Sequence, residues 1–127
     1  MNEAVISRIA DAIAFAEGYY QAGSRPHRNN NPGDLERDFT GKSIGRDGPY
    51  VVYRCPEDGW EALRSQVRLM FQGSRIYNRF MTIAEVGSHY TATGSKVWSE
   101  NVARRLGATV DTRLGSLTGD TEISSTK

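Results

Sequence analysis

The chain has 127 residues, of which 38% are hydrophobic and 24% charged, and its formal net charge is +1. This composition indicates one globular domain, and the near-neutral charge argues against a dedicated nucleic-acid binder. No stretch approaches the roughly 20 apolar residues of a membrane span, so we expect no membrane insertion. Cys55 is the only cysteine, which excludes an internal disulfide. We predict a single domain over residues 1–117 and a polar, disordered tail over residues 118–127.

The first eighteen residues, MNEAVISRIADAIAFAEG, lack the basic segment and the uninterrupted apolar core of a standard signal peptide. We therefore expect the protein to be made in the cytoplasm. Any action outside the cell would then depend on another route of release.

A first helix is predicted from about Asn2 or Glu3 to about Tyr20, because apolar residues recur there at helical spacing. These residues are Ile6, Ile9, Ile13 and Ala16. Asn2 suits the N-cap, and Glu3 suits the positive end of the helix dipole.

Glu17 is the anomaly of this helix. At about 100° per residue it lies only about 20° from Ile6, on the stripe that faces the core. Burial and the negative helix C-terminus both raise the pKa of a carboxyl. A carboxyl that stays protonated is what glycoside cleavage requires of its general acid. The alternative interpretation is an edge residue that is solvated or paired with an arginine.

Residues 22–34 have the Gly, Pro and Asn content of a loop, with a turn at Pro32-Gly33. Residues 35–54 predict a hairpin or a three-stranded sheet, with turns at residues 40–41 and 47–48 and a strand over residues 50–53. We expect Tyr50 and Tyr53 to share one face of this sheet, where their rings could stack on sugars.

Three further helices are predicted. One begins at Pro56 and ends near Phe71 or Gln72, and one covers Ile83 to about Tyr90 after a capping box. The last covers about Lys96 to Leu106 and is followed by a glycine stop. Its predicted apolar face consists of Val97, Asn101, Val102 and Leu106. The fold class is therefore α+β and mainly helical, with a small β hairpin or sheet between the helix that ends near Tyr20 and the helix that begins at Pro56.

Several motifs carry a resemblance to a known family. They are AEGYY at Ala16–Tyr20, NNNPGDL at Asn29–Leu35, YVVYRCPEDGWEAL at Tyr50–Leu63, HYTATG at His89–Gly94 and VARRLG at Val102–Gly107. With these motifs the chain resembles lysozyme-like peptidoglycan-cleaving domains, in particular small phage or prophage lytic transglycosylases and muramidases. The resemblance covers Ile6 to about Leu117. The related domains often have a proline where this chain has Ala92.

The resemblance implies a lysozyme-like helical bundle and an enzyme that cleaves peptidoglycan between N-acetylmuramic acid and N-acetylglucosamine. Glu17 would be the general acid and, in the transglycosylase route, also the base. The resemblance further implies action at the bacterial cell wall by a phage-released, virion-associated or exported protein. We expect a monomer that binds peptidoglycan glycan strands and needs no cofactor.

The candidate substrate-binding residues are Asn31, Asn30, Tyr90 and Tyr53. We expect the asparagines both to fix their turn and to present amides toward Glu17 or the N-acetyl groups, and the Tyr53 ring could stack on a sugar. The resemblance adds Tyr90, since related domains often have an aromatic residue lining the cleft at this point. Each has a structural alternative: the asparagines would hold the shape of their loop, and the tyrosines would belong to the core. Hydrolysis with inversion needs a second carboxylate about 6.5–9.5 Å from the acid. The candidates are Asp34, which lies nearest the loop, and Glu36, Asp38 and Asp47.

The two histidines and Cys55 have no partners at ligand spacing, so no metal site is predicted. Two other functions stay open at this stage. One is a non-catalytic glycan-binding or phage structural module with a lysozyme-like fold. The other is cleavage of a different N-acetylglucosamine polymer such as chitin, which the fold alone would not exclude.

Overall fold

The computed structural model describes residues 2–117, so the predicted tail at residues 118–127 lies outside the described residues. The described part contains helices α1 Glu3–Ala16, α2 Arg25–Arg28, α3 Pro56–Gln72, α4 Ile83–Tyr90 and α5 Ser95–Leu106, strands β1 Ser43–Asp47 and β2 Tyr50–Tyr53, and a 3-10 turn at Leu114–Ser116. The predicted α+β class is confirmed. In this part of the chain, no helix is both long and apolar enough to cross a bilayer.

Helix α1 forms the centre of the core and packs against α3 and α5, while α4 packs against α5. Ile6, Ile9 and Ile13 are at most 2% exposed. Burying each of these side chains contributes about 1.5–3 kcal/mol relative to leaving it in water. The N-cap prediction is confirmed, since the Asn2 side chain accepts a hydrogen bond from the Ala4 amide at 2.8 Å.

The end of α1 lies four residues before the predicted one. Gly18 adopts a left-handed backbone with φ of 82°. Its amide donates to the Phe15 carbonyl at 3.1 Å, and the Tyr19 amide donates to the Ala14 carbonyl at 3.0 Å. This pair of bonds is a Schellman motif, which ends the helix and makes Glu17 the C-cap residue.

The short helix α2 lies within the segment predicted as a loop. Ser24 caps it by accepting a hydrogen bond from the His27 amide, and Pro26 occupies the first turn. The Ser24 hydroxyl also donates to the Gly18 carbonyl at 2.7 Å, which ties the start of α2 to the end of α1. Arg25 is thereby placed beside the C-terminus of α1.

Strands β1 and β2 form an antiparallel hairpin with a bulge between Ser43 and Gly45. The other edge of β2 bonds to residues 29–35, here called the Asn loop. The Tyr53 amide donates to the Asn29 carbonyl and the Val51 amide to the Leu35 carbonyl, both at 2.9 Å. Val51 and Tyr53 face the core. The prediction that Tyr50 and Tyr53 share a face was wrong, because strand side chains alternate and an odd separation places them on opposite faces.

The later helices match their predicted bounds closely. The capping box at the start of α4 is present, since Thr82 and Glu85 exchange both of its hydrogen bonds. The face of α5 differs from the prediction: Val97 is 60% exposed, whereas Trp98 is 5% exposed and packs with Val102 in the core. The stripe follows the i, i+4 spacing of residues 98, 102 and 106.

Candidate functional site

The carboxyl of Glu17 lies where the end of α1 meets the start of α5. The indole N–H of Trp98 donates to Glu17 Oε2 at 2.8 Å. Among the described residues, Trp98 is the only hydrogen-bond partner of this carboxyl. The side chain is half-buried. A neutral indole thus takes the place that an arginine or lysine would hold in an ion pair.

Burial raises the pKa of Glu17 to about 7. The hydrogen bond from Trp98 acts in the opposite direction, because it stabilises the charged form. The negative charge of Asp34 raises this pKa further, and the guanidinium of Arg25 lowers it. Since the effect of burial is the largest, Glu17 holds a proton close to neutral pH and can still release it.

Tyr90 connects Trp98 to the Asn loop. Its ring stacks on the Trp98 ring with centroids 5.0 Å apart and planes at 26°. Its hydroxyl donates to the Gly33 carbonyl at 2.7 Å. Position 33 must be glycine for this approach, since a Cβ there would lie 2.8 Å from the Tyr90 hydroxyl. Tyr90 therefore supports the indole that contacts Glu17, and burial, followed by the Glu17 charge, raises the pKa of its hydroxyl well above the usual value.

Asp34 lies near Glu17 but in a different electrostatic setting. The Arg25 guanidinium donates through Nε to Oδ1 at 3.1 Å and through Nη2 to Oδ2 at 2.5 Å. The Asp34 side chain is 5% exposed and that of Arg25 43%. The guanidinium also lies 3.7 Å from the centre of the Tyr50 ring. Both oxygens of Asp34 are thus occupied by one cation, which is itself held on an aromatic face.

The side chains of the two asparagines predicted to bind substrate hold the Asn loop together. Asn31 is fully buried, donates to the carbonyls of Leu35 and Val51 at 3.0 and 2.9 Å, and accepts from the Leu35 amide at 2.9 Å. Asn30 donates to the Tyr53 carbonyl at 3.1 Å. For Asn31 this corrects the substrate-binding prediction, because its side chain offers nothing to a ligand. The structural alternative describes both residues.

Tyr53 also has a structural place. It is 1% exposed, and its hydroxyl donates to Asp38 at 3.0 Å. The prediction that its ring stacks on a sugar is corrected, since no face of the ring reaches the surface. Although burial opposes it, hydrogen bonds from Thr40, Ser43 and Tyr53 lower the pKa of Asp38 to about 2. Asp38 is therefore a structural anion.

The other candidate carboxylates, Glu36 and Asp47, are exposed. Asp47 closes the hairpin turn and accepts a hydrogen bond from Asn29 at 3.2 Å. Neither residue affects the pKa of Glu17, whereas Asp34 does. Of the four candidates, the structure brings only Asp34 into electrostatic contact with Glu17.

Sequence reasoning missed Trp98 and Arg25 as parts of this site. A signal for Trp98 was present, because it lies on one helical stripe with Val102 and Leu106. Arg25 had no comparable signal, since its pairing with Asp34 depends on a helix of only four residues.

No protein-family model, curated protein or solved structure matched the chain. Within residues 2–117, no three His, Cys, Asp or Glu side chains come together in a way that could hold a metal ion.

Proposed function

We propose that the protein is a lysozyme-like enzyme that cleaves the glycan strand of peptidoglycan, with Glu17 as the general acid. The observation that supports this most strongly is the half-buried Glu17 carboxyl, whose pKa is raised to about 7 and whose only described hydrogen-bond partner is an indole N–H. A structural carboxylate at this place would be expected to have a cation beside it. The motifs that resemble lysozyme-like domains supply the substrate class.

In the proposed reaction, protonated Glu17 donates its proton to the glycosidic oxygen as the bond from this oxygen to C1 of N-acetylmuramic acid breaks. The C6 hydroxyl of the same sugar then forms a bond to C1 and returns its proton to the Glu17 carboxylate. The products are a 1,6-anhydro end and a free hydroxyl on the departing sugar. Glu17 ends the cycle protonated, so this route needs no second carboxylate.

The arrangement of the other carboxylates favours this transglycosylase route over hydrolysis. An inverting hydrolase requires a free base on the opposite side of the sugar to activate water. Asp34 is the only candidate in electrostatic contact with Glu17, and both of its oxygens are bound by Arg25. We therefore propose a lytic transglycosylase.

The test is a digest of purified peptidoglycan by wild type and Glu17→Gln, analysed by mass spectrometry. Glutamine keeps the size of the side chain but cannot give up a proton. We expect anhydro-ended muropeptides from wild type and a loss of about 100- to 10,000-fold in the variant, the usual contribution of a general acid. Glu36→Gln makes the same change at an exposed carboxyl that does not affect the pKa of Glu17, and it is the matched control, with activity expected near that of wild type.

Other outcomes would decide between the alternatives. Reducing ends that depend on Glu17 would indicate a hydrolase, and equal activity of both proteins would refute the role of Glu17. If folded wild type releases no products but binds the polymer, a glycan-binding module would be the better explanation. Parallel digests of chitin oligomers would show whether the peptide-bearing sugar is required.

A further inference from the structure

We propose that Arg25 determines the product of this site, as a positioning residue that keeps the Asp34 carboxylate from activating water. The inference rests on the proposed function, and it adds a residue that sets the choice between anhydro and reducing ends. Arg25 does this through Asp34 alone and requires no contact with the reacting sugar.

The geometry of the ion pair carries the argument. Three hydrogen-bond contacts join the pair: Arg25 Nε to Oδ1 and Oδ2 of Asp34 at 3.1 and 3.2 Å, and Nη2 to Oδ2 at 2.5 Å. Such a bidentate pair is stronger and more directional than contact with a lysine. Each oxygen of Asp34 thus accepts at least one hydrogen bond from the cation, and the side chain is only 5% exposed, so little of this carboxylate is accessible to a water molecule.

Neighbouring groups fix both partners. The Arg25 guanidinium stacks on the Tyr50 ring at 3.7 Å. Asp34 adopts a left-handed backbone with φ of 49°, and its amide donates to the Asn31 carbonyl at 2.9 Å. This turn fixes the backbone from which the Asp34 side chain reaches Arg25. The pair is therefore part of the framework of the site.

If Arg25 is removed, Asp34 loses the cation that binds both of its oxygens, at a position where its charge acts on the general acid. It can then take a proton from water while the hydroxide oxygen forms a bond to C1 and Glu17 protonates the leaving oxygen. The product is a hemiacetal, that is, a reducing end, in place of the anhydro ring. Asp34 finishes protonated and Glu17 ionised, and exchange with solvent restores both.

The experiment compares the full-length wild type with Arg25→Met, Arg25→Lys and the double variant Arg25→Met/Asp34→Asn on purified peptidoglycan. Digests are treated with borohydride, which reduces hemiacetal ends and leaves anhydro ends unchanged, and mass spectrometry counts both. Arg28→Met is the matched control, because it removes a cation from the same helix that contacts Gly23 and Asp47 but not Asp34.

We expect anhydro ends only from wild type and Arg28→Met, and at least about one-tenth reducing ends from Arg25→Met. Arg25→Lys should give a smaller fraction, since an ammonium keeps the charge but lacks the planar fork. The double variant should return to anhydro ends, because it has no carboxylate to act as base. This return is a result that a merely structural role of Arg25 would not produce.

Several results would overturn the inference. An active Arg25→Met or Arg25→Lys that yields only anhydro ends would show that the pair does not set the product. Reducing ends from the double variant would show that Asp34 is not the base. If wild type already yields reducing ends, both the route and this inference fail. If wild type yields Glu17-dependent anhydro ends while the Arg25 variants are unchanged, only this inference fails.

Discussion

Glu17 and Asp34 are two carboxylates close enough to affect each other, yet the protein holds them in opposite ways. Asp34 is bound through both oxygens by a guanidinium, whereas Glu17 is bound through one oxygen by a neutral indole. Burial with full charge compensation makes Asp34 a structural ion. Burial with weak compensation leaves Glu17 with a pKa of about 7, the property required of a proton donor.

The same contrast separates the two sides of the site. On the Asn loop side, the side chains of Asn29, Asn30 and Asn31 all bond to the protein itself. On the helical side, Glu17 has a carboxyl oxygen without a described partner. The segment richest in polar residues, the Asn loop, is therefore the structural framework of the site. The candidate catalytic group is a single carboxyl, that of Glu17, which has no cation bonded to it among the described residues.

Substitutions that disturb the Asn loop should lower the stability of the fold most, and the largest effect is expected at Gly59, which packs against this loop. A Cβ at this position would lie 1.8 Å from the Asn30 carbonyl oxygen, so the backbone of the Asn loop would have to shift. Gly59→Ala should therefore reduce the free energy of unfolding by about 3 kcal/mol or more. Urea denaturation measures this. Gly45→Ala is the matched control, since a Cβ there meets nothing within 4 Å; similar losses in both variants would contradict the prediction.

Asn31→Ala should give the next largest effect. It removes three buried hydrogen bonds, including the one that the Leu35 amide donates, while the Leu35 carbonyl keeps its bond from the Val51 amide. We expect the free energy of unfolding to fall by about 2–4 kcal/mol, as unpaired buried polar groups are costly. Asn101→Ala, which removes only an exposed contact with Arg104, should change it by less than about 0.5 kcal/mol. A loss below about 1 kcal/mol for Asn31→Ala would assign the loop a role other than support.

Replacing Glu17 should raise the free energy of unfolding, in contrast to the two preceding substitutions, and the size of this gain should depend on pH. Below the ordinary pKa of 4.5 the carboxyl is protonated in both folded and unfolded chains, so it has no effect. As the pH rises from 4.5 through about 7, the unfolded chain releases this proton first, and wild type loses stability. The full shift corresponds to about 3 kcal/mol, which partial exposure reduces to about 1–2 kcal/mol.

Glu17→Gln should therefore unfold with a free energy about 1–2 kcal/mol above that of wild type at pH 8 and nearly equal to it at pH 4. Urea denaturation at the two pH values measures the difference. Glu36→Gln makes the same substitution at an exposed position and serves as the control. A destabilised Glu17→Gln at pH 8 would mean that the ionised carboxylate is a structural group after all.

The smallest effect is expected from Trp98→Phe, which keeps a ring to stack on Tyr90 but removes the N–H that stabilises ionised Glu17. The pKa of Glu17 should rise by less than about one pH unit, the equivalent of one hydrogen bond. The alkaline limb of the pH profile of glycan cleavage should move upward by that amount. Trp60→Phe should leave this limb in place, and a downward movement in Trp98→Phe would contradict the assigned role of the indole.

How much the sequence could predict depended on the range of the interactions involved. The bounds of α3 and α4 and the Asn2 N-cap follow from contacts between residues at most four positions apart. Gly18 carried the signal for the end of α1, but the predicted end, near Tyr20, lies four residues beyond the observed end at Ala16. The buried face of α5 was assigned to Val97 and not to Trp98, because so short a helix has too few apolar residues to fix which face is buried.

The site itself combines residues whose contacts are distant in the chain. Trp98 reaches Glu17 across 81 positions, and Tyr90 reaches Gly33 across 57. Glycines permit two of the approaches, at Gly33 beneath Tyr90 and at Gly87, where a Cβ would lie 2.2 Å from the Ser99 hydroxyl oxygen. Such packing leaves no local pattern in the sequence.

The sequence by itself determined the four longer helices, the hairpin and the place of Glu17 at the end of the buried stripe of α1, because periodicity and capping act within a few residues. Only the tertiary structure decided that Glu17 would receive an indole and Asp34 a guanidinium. That choice depends on how α2 and α5 pack against the end of α1. The different charge environments of the two carboxylates follow from this packing.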